Sequence, residues 1–147
     1  MKAEEMRAEY TVGWVRPEAV TRHETVGYAA LTHPTGWRLL PLKELGFWVG
    51  GGTPSKAKPA YWETGTIPWV SPKDMKTERI HDSEDHITEQ AVSESTANLI
   101  PTGSVLLVTR SGILRHTLPV AITTVPVTVN QDLKALTPKE GILPEYV

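Results

Sequence analysis

The sequence predicts an α+β domain that is mainly β, with few and short helices. Short runs rich in β-branched residues recur between turns, at residues 105–108, 120–122, 125–129 and 133–136. Twelve prolines and eleven glycines punctuate the chain. The helix candidates are each about one turn long.

In chain order, residues 1–35 show no sustained hydrophobic period and read as a poorly ordered leader, so a single domain is expected over residues 36–147. Trp37, Leu39, Leu40 and Leu42 give a short extended run, and residues 42–45 form a helical turn stopped by Gly46. Phe47, Trp48 and Val49 lead as a strand into residues 50–74, where three glycines meet Pro54, Pro59, Pro68 and Pro72. The glycines permit positive φ and close backbone approach, while each proline fixes φ and lacks a donor, so this stretch reads as a rigid exposed loop. Within it Ile67, Trp69 and Val70 form a short strand ended by Ser71-Pro72. A short helix is expected at residues 88–92, with Thr88 as N-cap and Glu89 in its first turn, on a solvated face. Pro101-Thr102-Gly103 is a turn, and the continuous apolar run 105–108 is the most buried strand, broken by Arg110-Ser111-Gly112. The tail opens a helix, with Pro144 at its first position and Glu145 in its first turn, and the domain is expected to be truncated there.

The net charge of -2 and pI of about 6.2 do not describe a wholesale polyanion binder, but the charge is unevenly placed. Residues 78–94 hold Glu78, Asp82, Glu84, Asp85, Glu89 and Glu94 against Arg79 alone, and read as a solvated acidic segment. Lys56, Lys58, Lys73 and Lys76 sit in or beside the glycine-proline stretch and leave a local basic face. Without cysteine there is no disulfide framework and no thiolate metal site, and no run reaches the roughly 18 apolar residues of a membrane span. The N-terminus lacks the apolar core of a signal peptide, and a cytoplasmic location is expected.

No catalytic constellation stands out. Gly50-Gly51-Gly52-Thr53 lacks the lysine of a phosphate loop and is followed by Pro54 where a helix should begin. Glu63, Asp74 and Lys76 faintly resemble the acidic and lysine set of a metal-dependent DNA nuclease, which stands as the enzymatic alternative. A vestigial fragment without activity is the third reading. His81 and His86 lie among carboxylates without a fixed ligand spacing, and no cofactor or metal is expected. Binding chemistry is better represented. Lysine and arginine reach phosphates and guanine edges, and asparagine and glutamine reach adenine edges. Such groups fall in three loops, 51–58, 69–76 and 110–116, with Asn130-Gln131 added at a strand start. Each has a plainer reading beside it. Trp48, Trp62 and Trp69 serve as base stackers or as loop anchors, Asn130 reads a base or satisfies a turn, and the lysines contact a partner or only water.

Several ordered motifs then coincide. They are Pro34-Thr35-Gly36-Trp37, Leu42-Lys43-Glu44-Leu45-Gly46, Gly51-Gly52-Thr53-Pro54-Ser55, Tyr61-Trp62, Gly65-Thr66-Ile67-Pro68-Trp69-Val70-Ser71-Pro72-Lys73-Asp74-Met75, Ile87-Thr88-Glu89, the run from Pro101 to Leu114, and Val129-Asn130-Gln131-Asp132. Together they closely resemble a target-recognition domain of type I restriction-modification specificity subunits. The resemblance implies a non-catalytic chain that reads one half of a bipartite sequence in double-stranded DNA. It also implies partner methyltransferase (M) and restriction endonuclease (R) subunits, with the S-adenosylmethionine site on the methyltransferase. Where that family usually carries a glycine after Ser-Gly-Ile-Leu, this chain has Arg115. Expected DNA contacts are Lys56, Lys58, Lys73, Arg110, Arg115, Asn130 and Gln131, while Thr53, Ser71, Asp74 and Ser111 are expected to hold the backbone. In that light residues 50–74 become the frame that sets register, with the lysines on the phosphates.

Overall fold

A computed structural model describes residues 11–15 and 38–147 of the chain. Inside the stretch expected to be a leader, β1 (Thr11–Val15) pairs antiparallel with β2 (Arg38–Pro41); the rest of that expectation lies outside the described residues. A 3₁₀ turn at Leu42–Glu44 leads into β3 (Gly46–Gly50), and a second at Pro59–Tyr61 precedes β4 (Ile67–Val70). Then follow β5 (Arg79–Ile80), β6 (Asp85–Ile87), the helix α1 (Glu89–Glu94) and β7 (Val105–Val108). A 3₁₀ turn at Gly112–Arg115 separates β7 from β8 (Val120–Thr123), and β9 (Thr128–Val129) and β10 (Leu133–Pro138) complete the strands among the described residues. The result is the mainly β architecture with little helix that the sequence predicts.

Besides the β1–β2 pair there are two sheets. The larger has the order β3-β10-β7-β8-β5, antiparallel except where β5 lies parallel to β8; the smaller has the order β6-β4-β9, with β4 parallel to β9. Strand β7 is apolar at every position because both of its faces are covered. Leu106 and Val108 join Val70, Ile80, Ile100, Val127, Val129 and Leu133 in the main core, while Val105 turns the other way onto Leu45 and Leu136. Strand β4 divides likewise: Val70 enters the main core, and Trp69 enters a second cluster with Tyr61, Ile87, Ala91 and Ala97.

Three local expectations need correction. The acidic segment is not merely solvated, because Ile80 and Ile87 plug into the two cores and make β5 and β6; two apolar residues seven positions apart are too sparse to register as a period. Residues 125–129 do not form one strand. Pro126 cannot donate to a ladder, so Val127 makes an isolated bridge with Ile100 and only Thr128–Val129 pair with β4. The helix α1 has the expected Thr88 cap, whose Oγ1 accepts from Ala91 N at 3.3 Å, but Ala91 is fully buried rather than on a solvated face. The tail takes up a 3₁₀ turn at Pro144–Tyr146, with Pro144 at its start and Glu145 in its first turn, as expected of that segment.

The glycine run serves close approach, not unusual φ. Among the described residues the glycines at positive φ are Gly103 and Gly141. A Cβ on Gly51 would fall on the carbonyl oxygens of Val129 and Asn130, and one on Gly52 would meet the backbone of Thr96. Side chains are excluded there because three segments meet at backbone distance.

Candidate nucleic-acid interface

Strand register decides which loops share an end of the fold. Gly50 at the end of β3 pairs with Lys134, and Val108 at the end of β7 pairs with Leu133. The chain leaving β3, the loop leaving β7 and the turn entering β10 therefore emerge from one end of the larger sheet. Asn130 N donates to Val70 O at 2.9 Å, which brings the loop after β4 to the same end. Segments far apart in sequence form one polar rim.

Most of that rim is tied down by its own side chains. Gly52 N donates to Val129 O at 3.0 Å, and Thr53 Oγ1 donates to Gln131 Oε1 at 2.5 Å. Trp69 Nε1 donates to Gly52 O at 3.0 Å and Trp62 Nε1 to Ser55 O at 3.1 Å, with the two rings edge to face at 5.3 Å. Trp48 Nε1 likewise reaches Leu42 O, so all three tryptophans act as anchors of backbone. Asp74 accepts from Ser71 N and Oγ through one carboxylate oxygen and from Glu84 N through the other, and Ser111 Oγ accepts from Ile113 N. The bonds of Ser71, Asp74 and Ser111 are of the backbone-holding kind expected of them, whereas Thr53 bonds a side chain, that of Gln131. They also occupy both oxygens of Asp74, the residue a nuclease reading would need free for a metal.

Arg110, Asn130 and Gln131 are brought together, and the residue that joins them is one the sequence reading passed over, Asp132. Its carbonyl accepts from Thr109 N at 2.8 Å and Arg110 N at 3.2 Å. One oxygen of its carboxylate accepts from Arg110 Nε at 2.9 Å and the other from Asn130 Nδ2 at 3.2 Å. Asn130 Oδ1 in turn accepts from Asp132 N at 3.0 Å. The last contact is an Asx-turn, the one signal in Asn-Gln-Asp that marks the segment as structural. Asn130 is almost fully buried, and its amide is engaged on both sides within the turn. Gln131 accepts from Thr53 and keeps its Nε2 without a partner among the described residues.

The lysines are distributed differently. Lys58 Nζ lies 2.8 Å from Tyr61 Oη and 3.5 Å from Glu94, and that hydroxyl first, then Glu94, holds its pKa above the ordinary lysine value. Lys73 sits 2.9 Å from Asp85 and 3.2 Å from Glu84, with Asp85 the larger cause of its raised pKa. Both pairs are exposed and weakly held in water, so a phosphate can compete for either lysine. Lys56 stands over the Trp62 ring at 5.9 Å, and Arg115 ends the exposed 3₁₀ turn after β7; neither has a carboxylate partner among the described residues. No helix of the described residues is long and apolar enough to cross a membrane.

Residues 34–146 match the family model described as the type I restriction modification DNA specificity domain. The chain is 54% identical over 106 residues to the EcoR124I/EcoR124II type I restriction enzyme specificity subunit of Escherichia coli, covering 72% of this chain and 26% of that protein. It is 39% identical over 117 residues to the MjaIX specificity subunit of Methanocaldococcus jannaschii, covering 78% and 26%. In fold it is similar to the HsdS subunit from Thermoanaerobacter tengcongensis, with a TM-score of 0.54 at 19% identity over 76% of this chain and 26% of that one. The chain thus spans about a quarter of the length of these relatives. With the family model matched over most of its length, the chain belongs to the type I restriction modification DNA specificity domain family.

Proposed function

We propose that this chain recognises one half of a bipartite sequence in double-stranded DNA, in the cytoplasm, as part of the specificity subunit of a type I restriction-modification system. Methylation and cleavage belong to partner M and R subunits, and the domain spanning residues 36–147 supplies recognition without chemistry of its own. The observation that supports the reading is the shared rim, where strand register and backbone bonds bring together the chain leaving β3, the loop after β4, the loop leaving β7 and the turn entering β10, the segments whose sequences carry Lys56, Lys58, Lys73, Arg110, Arg115 and Gln131. Phosphate contacts from the cations set register, and groups at the centre of the rim read base edges in the major groove. Asn130, turned into its own Asx-turn, contributes by holding that centre in place.

Selection from a library of randomised duplexes tests this, with the purified 147-residue chain as bait at fixed salt. Enrichment of a short contiguous motif is the expected result. A pool no different from its input, or equal affinity for every duplex, would overturn sequence recognition by this chain.

A further inference from the structure

Asp132 poses a question that DNA binding alone does not answer. A carboxylate at the centre of a surface meant to meet phosphates repels them and lowers affinity. Its bonds indicate what it does there. Through its carbonyl Asp132 holds Arg110 at the root, by the backbone N–H, and through Oδ1 it holds the same residue near the tip, by Nε at 2.9 Å. Its second oxygen is steadied by Asn130 Nδ2, and the Asx-turn fixes its backbone. The aspartate side chain is largely covered, at 28% exposure, whereas the arginine side chain is 69% exposed. The two terminal amino groups of Arg110 have no hydrogen-bond partner among the described residues, so the guanidinium is gripped from the side with its outer end open.

We infer that Asp132 is a positioning residue that fixes Arg110 end-on as the reader of a guanine edge in the major groove, an inference that rests on the DNA-recognition reading above. Two physical points favour a base over a phosphate. The pair is formally neutral, so its long-range pull on phosphates is weak, while its terminal N–H groups still suit two acceptors side by side, as guanine O6 and N7 present them. An arginine held at both root and Nε also loses little rotamer freedom on contact, which sharpens discrimination between base pairs. Lys56 and Arg115, unpaired with any carboxylate among the described residues, remain the groups suited to phosphate.

The test uses the duplex recovered by the selection, with each guanine replaced in turn by 7-deazaguanine, which lacks the N7 acceptor. One replacement is expected to weaken binding of the unaltered chain by about tenfold. In Asp132→Asn the penalty at that position should shrink to less than about twofold, with the salt dependence undiminished because a negative charge has been removed. Arg110→Lys, which keeps the charge but not the fork, should lose the same discrimination while keeping the salt slope. A variant that merely loosened the loop would instead lose affinity at all positions alike. The inference is overturned if no guanine of the selected site is sensitive to the replacement, or if Asp132→Asn keeps the full penalty. Should no site be selected at all, the DNA-recognition reading itself fails and takes this inference with it, an outcome distinct from the other two.

Discussion

Thr64 adopts φ of 60°, a left-handed conformation that β-branched residues rarely take, at an exposed position between the Pro59–Tyr61 turn and β4. Asparagine tolerates that conformation, so Thr64→Asn should raise the unfolding free energy by about 0.5–1 kcal/mol. A urea midpoint unchanged or lowered would mean that the threonine side chain makes a compensating contribution. Titration offers a second check on single residues. Ser83 N–H first, then His86, holds Asp82 below its ordinary value of 3.8, and Gln90 first, then Tyr61, holds Glu94 below 4.5. A depressed folded-state pKa contributes stability that is present above the unfolded value and lost as pH falls through the folded one. Stability should therefore hold down to the ordinary carboxylate range and decline below it, and Glu94→Gln should shallow that decline in urea unfolding measured from pH 5 to 2. At this scale the sequence shows which residues have binding chemistry but not which are spent internally. Asn130 and Gln131 are neighbours of similar chemistry, yet one is buried in an Asx-turn and the other bonds Thr53, 78 positions away.

The glycine-proline stretch is the element on which the rim depends. Gly51 passes so close to Val129 and Asn130 that even a methyl group has no room, and those neighbours are backbone. Gly51→Ala should cost upwards of about 2 kcal/mol, because relief requires β3 to part from the segment joining β9 and β10. It should also weaken DNA binding more than the stability loss alone explains, since that junction sets the position of Gln131 and Asp132. Affinity measured at a temperature where the variant remains fully folded separates the two effects. Elements with many apolar neighbours in sequence, β7 and β10 above all, are legible from composition. Strands β5 and β6 are not, because each is two or three residues long and owes its existence to a single isoleucine meeting a core assembled from elsewhere.

For the whole molecule, the main core links both larger sheets through Leu106, Val129, Val70 and Leu133, all fully buried. Leu106→Ala should lower the unfolding free energy by about 2–5 kcal/mol. Because the two sheets share this core, the loss should appear as one displaced transition, with near-ultraviolet and far-ultraviolet circular dichroism coinciding; separate transitions would show that the sheets unfold independently. Such cooperative unfolding of the unaltered chain would also count against a vestigial fragment that does not fold. What the sequence by itself determined was the mainly β class, the placement of the long strands, the capped short helix and, through its ordered motifs, the family. Those are carried by local propensity, turn chemistry and residue order, which a linear chain expresses directly. Only the tertiary structure decided that the glycines serve backbone contact, that Asn130 faces inward, and that Asp132 grips Arg110 across 22 positions. Those outcomes depend on strand register, which sets segments remote in sequence a few ångströms apart and has no local signature.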